Sequence, residues 1–283
     1  MLINVRHATR YSYESQARYS VQCLRVTPPE FDGQTVKRWQ ISTPGIEGAV
    51  KFEDGYGNIA HLVTIDRPHE EIAVELEGVI ETEDRTGIVR GLSNITPLRV
   101  YLRETPKTAP DAAIRKLASG ISIAKDRLGA MHELMHRVRG AVDYSVGATD
   151  AHTTAASALA DGKGVCQDHA HVFISAARVL GVPARYVNGY FVTGGNAWSE
   201  AHHAWGEIWI DGLEWVGFDP ANLLCPTDRY VRLACGLDAE SAAPIRGMRR
   251  GGLRETLDVS VEVAQQGLRP LEAPVQAQDQ SQA

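Results

Sequence analysis

Cys166, His203 and Asp219 are the residues of this chain best suited to nucleophilic chemistry. A cysteine attacks carbon as the thiolate, and an isolated thiol loses its proton only near pKa ~8.5. Three neighbours ease that loss. A helix N-terminus favours the anion through its free N–H groups and dipole, a histidine holds the proton, and a carboxylate fixes the histidine tautomer. An isolated cysteine would equally suit a small buried core position, so the weight falls on the elements around these three residues.

Cys166 heads an apolar run in which Ala170, Phe173, Ile174, Ala177 and Leu180 recur at helical spacing, and Gly181-Val182-Pro183 ends it. The spacing predicts a largely buried helix with Cys166 at its start. Gly162 and Gly164 allow a sharp turn just before it, leaving the Cys166 N–H free as one donor of an oxyanion hole. Downstream, residues 202–210 alternate as a strand with His203, Trp205, Glu207 and Trp209 on one face. Asp211-Gly212 predicts a two-residue hairpin turn, and the chain returns through Glu214-Trp215-Val216-Gly217-Phe218-Asp219. His203 lies eight residues before Asp211 and Asp219 seven after Gly212, which sets the two side by side.

The stretch Gly164-Val165-Cys166-Gln167-Asp168-His169-Ala170-His171, with Gly181 through Tyr190, His203-Ala204-Trp205 and Trp215 through Asp219-Pro220, resembles the bacterial transglutaminase-like superfamily of cysteine enzymes. His7 through Tyr13, Leu24-Arg25-Val26-Thr27-Pro28 and Asp54-Gly55-Tyr56-Gly57-Asn58 are similar to the β-rich domain that precedes such cores in bacteria. The resemblance implies a papain/transglutaminase-like core, with Cys166 as nucleophile, His203 as base and Asp219 orienting the base. It also implies acyl transfer through a thioester: Cys166 attacks an amide carbonyl, and His203 stores the thiol proton and returns it to the leaving amine. Water as the second acceptor gives a cysteine peptidase or amidase, the favoured expectation; an amine gives a transglutaminase. An acyl-CoA-dependent thiol acyltransferase and a non-catalytic binding module are the alternatives from other classes. Mammalian transglutaminases use an upstream Trp as an oxyanion donor, and the stretch near Met131 has none. Tyr144 takes that place or else serves as a core aromatic at a helix end; Gln167 and Trp205 complete the substrate and oxyanion candidates.

Length and composition suit two packed units in an α+β chain. With 283 residues and 43% hydrophobic side chains, the chain exceeds the usual size of one core. Residues 1–103 alternate as in Ile72 through Ile80 between Pro and Gly turns, predicting an antiparallel β-sandwich. Residues 104–110 read as a linker and 111–267 as the core, with helices over 111–119, 126–139 and 153–160 and strands from Ala184 onward. Leu257–Val263 reads as a final strand and 268–283 as a mobile tail.

A net charge of −6 without a basic cluster gives no footprint for nucleic acid or an anionic membrane, and Arg246-Gly247-Met248-Arg249-Arg250 reads as a short solvated loop. The expected partner is a protein or peptide substrate. No apolar run approaches ~20 residues and no signal-peptide core opens the chain, so a cytoplasmic location is expected. Cysteines at 23, 166, 225 and 235 show no paired framework. Although Cys166, His169 and His171 lie close together, 171 turns away from the helix face shared by 166 and 169. No second Cys-x-x-Cys arm accompanies them, and neither metal nor cofactor is expected.

Overall fold

The first strand organises half of the protein. In the computed structural model, which describes residues 1–93, 95–192 and 202–265, β1 runs over Leu2–Leu24. It is followed by β2 (Gln34–Ser42), β3 (Val50–Glu53), β4 (Ile59–Ile65) and β5 (His69–Thr82). Along one edge of β1, residues 2–12 pair with β5 and residues 20–24 with β4, all antiparallel. β2 adds to β5 and β3 to β4. Register breaks between Ser12 and Ala17 let β1 bend there. The two halves of the sheet then pack on each other through Tyr13, Leu24, Val63, Ile65, Ile72, Val74 and Leu76. This is the antiparallel sandwich expected from the alternation.

The second unit begins with β6 (Ile88–Val89) and continues through α1 (Ala112–Ala118), α2 (Arg127–Ala141), β7 (Asp143–Tyr144), α3 (Ala155–Asp161), β8 (Lys163–Gly164) and α4 (Cys166–Val179). β9 (Ala184–Phe191), β10 (His202–Ile210), β11 (Glu214–Phe218) and β12 (Tyr230–Gly236) complete its sheet in the order β12-β9-β10-β11-β6. α4 lies on this sheet; its Phe173 and Ile174 press against the bare backbone of Gly206, where a Cβ would come within 2.9 Å of Phe173. Among the described residues, no helix is long and apolar enough to cross a membrane.

The chain does not keep to the expected boundaries. β6 joins the second sheet by pairing with β11. The last strands, β13 (Ile245–Gly251) and β14 (Glu255–Gln265), return to the first unit and line the free edge of β1. Arg246 through Arg250, read as a solvated loop, is therefore a strand, stabilised by the unpaired donors and acceptors of β1 rather than by its own residue types. Residues 104–110, read as a linker, are anchored. Thr108 is fully buried; its carbonyl accepts from Ser175 and its hydroxyl from Arg178, both on α4. The expected tail, 268–283, lies outside the described residues. Between the units, Ile3, Val5 and Ile80 pack against Tyr190, Val231 and Leu233.

Candidate active site

The start of α4 is built by its flanks. Val165 is the residue before the first turn and has no side chain able to cap it, so Asp168 closes the helix from inside: its Oδ2 accepts from the Val165 N–H at 2.8 Å and from the Thr149 hydroxyl at 2.6 Å. Only glycine fits at 164, since a Cβ there would stand 2.6 Å from the Asp168 Cβ. β8 pairs parallel to β7, and the Ser145 N–H donates to the Gly164 carbonyl at 2.9 Å. His169 ties the turn from below, its Nδ1 at 2.8 Å from the Val165 carbonyl and its Nε2 at 2.9 Å from that of Val142. Cys166 is half-buried at the helix end. As the first residue of α4, its N–H has no partner within the helix and stays available to an incoming carbonyl oxygen.

β10 and β11 bring the other two residues. The connection is longer by one residue than Asp211-Gly212 alone predicts: Ile210 pairs with Glu214, with Gly212 and Glu214 at φ 83° and 68°. Gly206 pairs with Phe218, so Asp219 falls diagonally from His203 instead of directly across. The side chains still meet, His203 Nε2 lying 2.6 Å from Asp219 Oδ2. Burial alone would lower the His203 pKa. Hydrogen bonds and charge from Asp219 and Cys166 outweigh it and push the imidazole up to about 10. Asp219 is fully buried, yet it is held below the ordinary carboxylate range because His203, Tyr230 and Asn222 donate to it. A thiol, an imidazole that keeps its proton and a buried carboxylate thus lie in one hydrogen-bonded line at a helix N-terminus, an arrangement suited to a thiolate–imidazolium pair.

The remaining sequence candidates separate. Gln167 sits half-buried in the first turn of α4, beside Cys166. Tyr144, on β7, is 46% exposed with its ring 6.1 Å from that of His169, which rules out the core-aromatic reading. Trp205 is 1% exposed; it stacks along His203 with ring centroids 6.3 Å apart and packs on Tyr230, so it shapes the imidazole's berth from within the core. His171 accepts from the Ala239 N–H at 3.0 Å, and burial pulls its pKa down to about 4. Two residues absent from the sequence reading touch Asp219. Asn222, in Asp219-Pro220-Ala221-Asn222, donates to Oδ2 at 2.7 Å, and Tyr230 donates from β12 at 2.6 Å. A polar side chain three residues after the aspartate is a legible turn signal, whereas nothing local marks Tyr230. Glu207, on the same strand as His203, is committed elsewhere: it is fully buried between Arg185 at 2.5 Å and Arg232 at 3.0 Å.

Residues 115–220 match the transglutaminase-like superfamily and residues 3–81 the bacterial transglutaminase-like N-terminal region. The chain belongs to the transglutaminase-like superfamily. An uncharacterized Mycobacterium leprae protein is 29% identical over 92% of this chain and 98% of its own. An uncharacterized protein of Mycobacterium tuberculosis strain H37Rv is 24% identical over 92% of this chain and 91% of its own. A crystal structure described as a proposed cysteine protease from Cytophaga hutchinsonii superposes with TM-score 0.72 at 20% identity, covering 98% of this chain and 95% of that one. It has the same fold.

Proposed function

We propose that this protein is a cysteine peptidase or amidase acting on protein or peptide amides. The observation that carries the reading is the Cys166, His203, Asp219 line, with its 2.6 Å His–Asp bond and its half-buried thiol at a helix N-terminus. Cys166 attacks the amide carbonyl, the Cys166 N–H receives the developing oxyanion, and His203 delivers its proton to the leaving amine. A thioester remains on Cys166. Water, activated by His203, then releases the acid and regenerates the thiol. Asp219 keeps the imidazole turned and compensates its charge. The family of cysteine enzymes to which the core belongs supports this chemistry.

The test incubates wild type and Cys166→Ala with a peptide library in the presence and absence of a fluorescent primary amine, followed by mass spectrometry. Cys166-dependent hydrolysis products are expected. Amine incorporation exceeding hydrolysis would replace the peptidase reading with transamidation, and products that persist in Cys166→Ala would remove the triad from the chemistry.

A further inference from the structure

One oxygen of Asp219 carries three donors. Oδ2 accepts from His203 Nε2 at 2.6 Å, from the Tyr230 hydroxyl at 2.6 Å and from the Asn222 amide at 2.7 Å. Oδ1 accepts the Ala221 and Asn222 backbone N–H groups at 3.0 and 3.3 Å. The donors come from β10, from β12 and from the loop after β11. That loop is closed by reciprocal backbone hydrogen bonds between Asp219 and Leu224. Within it, Leu223 takes φ 55°, a left-handed conformation that non-glycine residues adopt only when their surroundings hold them there. The turn carries the Asn222 amide back over the carboxylate, to 3.4 Å from His203 Nε2. Tyr230 arrives from the other side, its ring wedged against Phe191 at 4.5 Å and Trp205 at 5.4 Å.

We propose that Tyr230 and Asn222 are positioning residues that hold Oδ2 of Asp219 at the imidazole and keep the carboxylate ionised there. The inference rests on the triad reading. A carboxylate oxygen that accepts several hydrogen bonds spreads its negative charge among them, and each bond to the ionised form favours that form. The polar groups facing the pair are Cys166 on α4, Asn222 in the loop and Tyr230 on β12, with the Arg229 charge acting on the tyrosine. Removing one donor from so buried a site makes Asp219 easier to protonate. As pH falls, the imidazolium then loses its anchor sooner.

The test needs no substrate. In the full chain, the rate of Cys166 alkylation by iodoacetamide is followed against pH for wild type, Tyr230→Phe, Asn222→Ala and His203→Ala, with Tm measured alongside. Tyr230→Phe keeps the ring and removes only the O–H. Its acid-side midpoint is expected to move up by roughly half a unit to one unit, with Asn222→Ala moving the same way. Profiles for both variants that superpose on wild type would overturn the proposal, even if Tm falls, because a merely structural role changes stability and leaves the midpoint in place. Should Tyr230→Phe fail to fold, Asn222→Ala decides alone. A His203→Ala profile identical to wild type would instead show that the triad reading has failed, a result distinct from a His203-dependent profile that the other two variants leave unmoved.

Discussion

Four cysteines share one reducible chain, yet their surroundings differ enough to rank them. Cys166 stands half-buried at a helix end beside an imidazole held at about 10, while burial pushes the Cys225 thiol up to about 11. Cys235 is buried in the core and Cys23, on β1, is half-buried away from any helix end. Iodoacetamide at pH 6 is expected to label Cys166 first, with peptide mapping as the readout; equal labelling of all four would remove the thiolate–imidazolium pair. A second expectation concerns Asp219→Asn. The size is kept, but an amide permits the wrong imidazole tautomer, and the corresponding change in a serine protease lowers turnover by ~10⁴. Peptide turnover by Asp219→Asn and His203→Ala is expected to fall comparably, and the double variant to be little worse than either, since residues acting as a unit are not additive. Full additivity in that cycle would mean that the two side chains work separately.

At the scale of elements, the helices were legible, while the short strands β7 and β8 and the longer β13 were not. The apolar spacing and the glycine and proline stops locate α1 to α4 to within a residue or two, because a helix is decided by neighbours three and four residues away. The hairpin was legible in outline. Its turn was one residue short because the left-handed Glu214 has no sequence signature. β13 escaped altogether: Arg246-Gly247-Met248-Arg249-Arg250 has no strand pattern, and its partner is the far end of β1. In the site, the cysteine, histidine and aspartate were readable from motif and spacing, while Tyr230 depended on how β12 lies across the sheet. The alternation along β10 also placed Glu207 on the face of His203, and the structure gives it a structural task. Its carboxylate stays ionised against burial because Arg185 and Arg232 flank it, and Arg185 in turn lies 4.0 Å over Trp215. Glu207→Gln leaves two buried guanidinium groups without their anion, and breaking such a pair costs about 3–5 kcal/mol. Denaturant unfolding should show that loss. The folded fraction should still alkylate at Cys166, and a stable but unreactive Glu207→Gln would move the orienting carboxylate from Asp219 to Glu207.

At the scale of the whole molecule, the two units meet through histidines, and this gives stability a pH dependence with two different flanks. His7, on β1, bonds to the Tyr190 hydroxyl at 2.9 Å and to Thr9 at 2.8 Å, with His202 of β10 3.4 Å away. Burial, aided by His202, pulls His7 down to about 3, and burial pulls His202 down to about 4, as it does His171. These groups are neutral in the folded state at pH values where the unfolded chain already binds protons, with a histidine pKa near ~6.5. The unfolded state therefore gains protons first as pH falls below that value, and stability decreases from about pH 6.5 toward 4. His203 has the opposite sign. Its folded pKa of about 10 exceeds the unfolded value, so its contribution is complete below ~6.5 and is lost as pH rises through 10. Tm measured from pH 4 to 10 should accordingly peak near neutrality. His7→Gln, which keeps a donor and an acceptor at the junction of the units, should flatten the acid flank only. His203→Gln should flatten the alkaline flank only. An acid flank unchanged in His7→Gln would detach His7 from the acid sensitivity and leave it to His202, His171 and the carboxylates.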